Sequence, residues 1–248
     1  MLRAYGDGTL FGEPYGEGPV QVIWFHGWAR RGEDFAAAAK ELSERGVASV
    51  ALDLPGFGAS PVPTLAGGAR HYAELVLPAI RDIGEGPFVL VGHSFGGTVA
   101  CVLAANHPEV VRSLVVSGAP LLRSPSTRPS PLTYRATRWL HARGIVSDAR
   151  IEAARQKYGS SDYRRASGIL RDVLVISVNE SYEKELSNLD VPVTLLWGEE
   201  DREVPLDVAR RASGYMSTTH TMQSLPGVGH LVPSDAPGEL ANVVGALV

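Results

Sequence analysis

Cysteine is almost missing from this chain. Cys101 stands alone among 248 residues, which excludes an internal disulfide framework and fits a reducing compartment. It falls in an apolar helical stretch, where it reads as a small buried hydrophobe and not as a nucleophile. A basic excess is missing too. The formal net charge is −4, so nucleic acid is not expected as a partner. No apolar run approaches the ~18 residues that a bilayer span requires. The opening "MLRAYGDGTLFG" lacks the basic-then-apolar pattern of a secretory signal, and a cytoplasmic location is the expectation. There is no H-E-x-x-H and no cluster of Cys and His, so neither a metal nor another cofactor is expected. Internal repeats and low-complexity tracts are also wanting.

What the chain does have is alternation. "VQVIWF" (20–25), "VASVALDL" (47–54), "FVLVG" (88–92), "SLVVSGA" (113–119), "VPVTLLWG" (191–198) and "HTMQSLP" (220–226) read as short strands. Helical stretches separate them, over "EDFAAAAKELSERG", about 65–83, 95–106, a segment opened by Pro205, and about 236–247. "LRAYG" and "TLFGE" flank Gly6-Asp7-Gly8 as a hairpin. Continuous apolar strands alternating with helices predict an α/β fold, with a mostly parallel sheet covered by helices on both faces.

One segment breaks this rhythm. From 121 to 185 the pattern is mostly helical, and "VLVIS" (173–177) is the nearest thing to a strand. This predicts a helical cap (121–185) inserted into a core made of 1–120 and 186–248. The insertion carries 12 Lys and Arg against 7 Asp and Glu, a net of +5, and the remainder 11 against 20, a net of −9. Ten of its cations are arginines: Arg123, Arg128, Arg135, Arg138, Arg143, Arg150, Arg155, Arg164, Arg165 and Arg171. The plain reading is a solvated helix surface. The sharper one is that a few bind an anionic group or an acidic carrier protein, because a guanidinium fork matches carboxylate and phosphate.

Gly92-His93-Ser94-Phe95-Gly96 fits G-x-S-x-G, in which a serine sits on a sharp strand-to-helix turn with its hydroxyl exposed above the sheet. Side chains at 92 and 96 would collide within such a turn. The helix that starts there aims free N–H groups at whatever reacts with Ser94.

Four further motifs, in order, accompany this one: "HGW" (26–28), "DLPGFGAS" (53–60), "WGEED" (197–201) and "GVGHLVPSDAP" (227–237). Together the five resemble the α/β-hydrolase superfamily, specifically its capped serine hydrolases, over nearly the whole chain. The resemblance implies the catalytic order Ser94, Asp201, His230. Ser94 needs an adjacent base, His230 supplies it, and Asp201 orients the imidazole. Glu199, Glu200 and Glu203 crowd the same loop, and the family pattern selects Asp201 as the third residue after the glycine. Asp53 instead caps the "PGFG" turn, and His26 braces the loop after its strand. The implied oxyanion donors are the backbone N–H groups of Trp28 and Phe95; Trp28, His93 and Phe95 are candidates for the substrate pocket. A serine nucleophile implies hydrolysis of an ester, or a related acyl bond, of a small molecule. "HGW" and the basic cap are similar to pimeloyl-carrier methyl-ester esterases, and "HGW" to haloperoxidase-like esterases. Carbon–carbon hydrolases of the superfamily usually carry an amide residue where His93 stands. A non-catalytic ligand receptor on the same fold is the alternative from another class.

Overall fold

The computed structural model describes residues 1–123, 132–158 and 161–248. Its first elements are an antiparallel pair, β1 (Arg3–Tyr5) and β2 (Leu10–Tyr15), with Ala4 opposite Phe11. Then come β3 (Val20–Phe25), α1 (Ala36–Glu44), β4 (Ala48–Asp53), α2 (Ala69–Ile83), β5 (Phe88–His93), α3 (Phe95–Asn106) and β6 (Val111–Ser117). After a helical stretch the sheet resumes with β7 (Val193–Gly198), α9 (Leu206–Ser213), β8 (His220–Leu225), the single turn α10 (Val232–Asp235) and α11 (Pro237–Gly245). Among the described residues the sheet has the order β1-β2-β4-β3-β5-β6-β7-β8, parallel from β4 to β8 and antiparallel at β1 and β2. It is the mostly parallel, two-faced α/β sheet that the sequence predicts.

Side chains alternate across this sheet, so each strand feeds two cores. Val22 and Trp24 of β3 pack with Phe35, Ala39 and Leu42 below the sheet, joined by Leu240 and Val244 of α11. Ile23 and Phe25 point the other way, into a larger cluster with Tyr72, Val76 and Val99 of α2 and α3. β4 and β5 are buried along their whole length. Strands with no wet face carry no polar alternation, which is why they read as unbroken apolar runs.

Between β6 and β7 the chain forms α4 (Leu132–Ala142), α5 (Asp148–Tyr158), α6 (Ser161–Arg165), α7 (Gly168–Ser177) and α8 (Glu183–Asn188). "VLVIS" lies in α7, where Val173 and Leu174 turn inward while Val175 and Ile176 stay exposed. α8 runs across residue 185, and Tyr182 and Leu186 pack in the larger core cluster. The segment is tied down at Arg70 of α2, whose guanidinium donates to both carboxylate oxygens of Glu185 at 2.6 and 2.9 Å. Glu180 accepts the Ala69 N–H at 2.8 Å at the start of the same helix.

Candidate active site

Ser94 stands between β5 and α3 with φ +52° and ψ −119°. Few residues other than glycine adopt such a backbone, and it persists only where the surroundings enforce it. Close packing does so here. A Cβ built on Gly92 would come within 2.5 Å of the Gly96 carbonyl oxygen, and one on Gly96 within 2.2 Å of the Phe25 carbonyl oxygen. The strand, turn and helix can therefore approach only through glycine. The Ser94 N–H is held by the Ser117 carbonyl at 2.8 Å.

Two loops from far along the chain meet this serine. After β7, the turn at 199–204 wraps around the Asp201 carboxylate: Oδ1 accepts the N–H groups of Glu203 and Val204 at 2.9 and 2.8 Å. Trp197 steadies the turn by donating its indole N–H to the Val204 carbonyl at 2.8 Å. After β8, the loop preceding α10 carries His230. Its Nδ1 meets Asp201 Oδ2 at 2.8 Å, and its Nε2 meets Ser94 Oγ at 3.2 Å. With Asp201 accepting, Nδ1 carries the proton and Nε2 offers a lone pair to the Ser94 hydroxyl. Burial alone would depress the His230 pKa. The hydrogen bond and charge of Asp201, with the charge of Glu203, more than offset this and hold it above the ordinary 6.5.

The other residues singled out in the sequence have definite places. His26 is fully buried, donating from Nδ1 to the Gly27 carbonyl at 2.7 Å and accepting the Leu54 N–H at Nε2 at 2.9 Å. Burial lowers its pKa to about 4, so it is a neutral strut between two loops. Asp53 receives the Gly32 and Ala59 N–H groups, both at 2.8 Å, and so braces the loop after β3 as well as its own turn. The amide N–H groups of Trp28 and Phe95 have no acceptor among the described residues. Their rings pack edge to face, with centroids 5.6 Å apart, on one wall of a cleft that contains Ser94. His93 lies outside that cleft lining. It is buried, contacts Ser117 Oγ through Nδ1 at 3.0 Å, and sets its ring 4.9 Å from that of His230. Burial pushes its pKa down to about 3. Burial also raises the Cys101 thiol to about 12, an inert small side chain in α3.

The cleft has a volume of about 1060 Å³, and its lining also includes Leu122, Leu174, Val178 and Val204. Among the described arginines of 121–185, Arg123 lines it. Arg155 and Arg171 pair with Glu152, and Arg143 stacks on Trp139. Arg128 is outside the described residues. Among the described residues no three His, Cys, Asp or Glu side chains gather to hold a metal ion, and no helix is long and apolar enough to cross a membrane.

Sequence reasoning passed over Glu203 as one acid in a crowded loop. In the fold its carboxylate reaches to 3.7 Å from His230 Nε2. The signal that could have found it is spacing: two residues beyond Asp201, on the same turn.

The family model for the alpha/beta hydrolase family matches residues 22–243. A pimeloyl-[acyl-carrier protein] methyl ester esterase of Chromobacterium violaceum is 35% identical over 148 residues, 60% of this chain and 50% of that protein. The chain thus spans about half the length of that relative. An uncharacterized hydrolase of Bacillus subtilis is 27% identical over 76% of this chain and 75% of its own. Among solved structures, an esterase from Thermogutta terrifontis superposes with a TM-score of 0.72 at 18% identity, covering 99% of this chain and 97% of that one.

Proposed function

From membership of the alpha/beta hydrolase family, to which this chain belongs, we propose a specific chemistry: a serine hydrolase that cleaves a carboxylic ester, or a related acyl bond, of a small molecule. The observation that carries this reading is the continuous line from Ser94 Oγ through His230 to the buried Asp201 carboxylate. A serine hydroxyl is a weak nucleophile unless a base takes its proton, and this line supplies base and orienter together.

Ser94 Oγ attacks the carbonyl carbon as its proton passes to His230 Nε2. The carbonyl electrons move onto oxygen, where the free N–H groups of Phe95 and Trp28 are the donors for the developing charge. The carbon–oxygen bond to the alcohol breaks, the alcohol takes the proton from Nε2, and the acyl group stays on Ser94. Water then repeats the sequence. It loses a proton to Nε2, bonds to the acyl carbon and releases the carboxylic acid as the proton returns to Ser94 Oγ. Asp201 keeps Nδ1 protonated throughout and stabilises the imidazolium. In this reading 121–185 is a helical cap that encloses the acyl chain against the Trp28 and Phe95 wall.

Turnover of a short p-nitrophenyl ester tests the proposal against a ligand receptor on the same fold, which would bind without release of nitrophenol. The pH profile adds a second check. The His230 pKa is raised, and only the neutral imidazole accepts the serine proton. kcat/KM should therefore rise with pH and reach half its plateau above 6.5. A midpoint well below 6.5 would contradict the role given to His230.

A second reading concerns how the substrate is presented. Arg135 and Arg138 of α4 are exposed and have no acidic partner among the described residues, and one relative is named for an ester borne on a carrier protein. An acidic carrier docking on α4 suits this basic face. Its kcat/KM should fall steeply with ionic strength, whereas a free neutral ester should be nearly indifferent.

A further inference from the structure

The turn that holds Asp201 supplies a second carboxylate to the same imidazole. The Glu203 N–H is bound to Asp201 Oδ1 at 2.9 Å, so the two acids share one turn of backbone. From there the Glu203 side chain passes to the other edge of the ring, with Oε2 3.7 Å from Nε2. That nitrogen also faces Ser94 Oγ. His230 is thus bracketed, Asp201 at Nδ1 and Glu203 at Nε2. The two acids differ in exposure: the Asp201 side chain is 1% exposed and that of Glu203 73%. Glu203 forms no other ion pair among the described residues, and it lines the cleft beside Ser94.

Other charges around the ring do not cancel it. Arg30, on the loop after β3, is already bound by Asp34 at 2.9 Å. His93 is neutral, since its pKa lies near 3. Arg202 and Arg211 line the same cleft, Arg211 paired with Asp207 at 2.8 Å, but the charges that act on the His230 ring are those of Asp201, Glu203 and, more weakly, Arg30. A negative charge therefore stands at the nitrogen through which every proton of an acyl transfer would pass.

Ester hydrolysis converts a neutral group into a carboxylate at this spot. An anion a few ångströms away leaves a neutral ester unopposed and repels its ionised product. It also favours the imidazolium that forms in between. We propose that Glu203 is a positioning and specificity-determining residue. Through His230 Nε2 it stabilises the protonated base, and it keeps carboxylates, on substrate or as product, away from Ser94. This rests on the reading of Ser94 and His230 as nucleophile and base.

Glu203→Gln keeps the length and removes the charge; Glu203→Asp restores a charge at shorter reach. The His230 ring is titrated by NMR, which needs no turnover. At low ionic strength Glu203→Gln should lower its midpoint by roughly 0.2–0.7 pH units. The kcat/KM of an ester with a carboxylate beside the scissile bond should rise about threefold relative to its neutral counterpart. Inhibition by the carboxylate product should tighten by a similar factor. Glu203→Asp should fall between wild type and Glu203→Gln, and all differences should shrink in high salt. An unchanged midpoint with unchanged charge preference in Glu203→Gln at low salt overturns the proposal. A shifted midpoint in a protein that hydrolyses no ester would support the contact with His230 and count against acyl transfer instead.

Discussion

Replacing Ser94 with alanine is expected to reduce ester hydrolysis by at least roughly 10³-fold and to abolish labelling by a fluorophosphonate, which should otherwise attach once per chain. His230→Ala should cost about as much, because without a base the serine proton has nowhere to go. Asp201→Asn should cost somewhat less. The asparagine amide would present a donor to Nδ1 where the ring needs an acceptor, favouring the wrong tautomer. The Ser94→Ala and His230→Ala double variant should be little worse than either alone, since members of one relay fail together. Labelling that survives in Ser94→Ala would remove Ser94 from the mechanism. An Asp201→Asn variant with full kcat, beside a dead Glu199 or Glu200 variant, would move the acid elsewhere.

Gly96→Ala is expected to have the largest effect on folding. The added methyl would lie 2.2 Å from the Phe25 carbonyl oxygen and 2.5 Å from that of His26. Both are backbone atoms of a central strand and its exit, so neither can rotate away. Forcing α3 off β3 amounts to overpacking in the middle of the core, at about 3 kcal/mol or more. For a chain of this size that corresponds to a fall in Tm of roughly 6–12 °C, or to loss of soluble protein. Gly238→Ala is the control. It adds the same methyl to the first turn of α11, where the nearest atom is a Glu41 carboxylate oxygen at 3.6 Å. It should leave Tm unchanged or slightly higher. Equal melting of the two variants would show that the elbow tolerates a side chain.

These effects trace back to features of unequal legibility. The central strands could be read because burial on both faces leaves them apolar from end to end, as in Val89, Leu90 and Val91. The serine turn could be read because its glycines are demanded by contacts within a few residues. "VLVIS" was ambiguous for the opposite reason. Val175 and Ile176 are apolar yet exposed, so they mask the three- and four-residue spacing of the inward face of α7. The single turn α10 escaped notice, since four residues carry too little periodicity to register. The jobs of His93 and Glu203 depend on which nitrogen or ring edge a side chain reaches across a separation of 137 or 27 positions. Spacing puts Glu203 on the Asp201 turn, but no local pattern tells which edge of a distant ring it reaches.

The adjacency of β6 and β7 has a further consequence, for the history of the molecule and for its redesign. Leu114 pairs with Val193 and Val116 with Leu195, so everything between these strands departs from and returns to neighbouring points on one edge of the sheet. Closing a longer excursion between fixed ends costs little, about 0.6 kcal/mol for each doubling of length. Ser94 lies before the excursion, and Asp201 and His230 after it. Helices α4 to α6 belong to neither core cluster, whereas Val173 of α7 and Leu186 of α8 belong to the larger one, so the exchangeable part is the stretch from α4 to α6. A segment from a distant homologue, of different size and charge, could replace Leu132–Arg165 while the strands and loops that carry Ser94, Asp201 and His230 stay as they are.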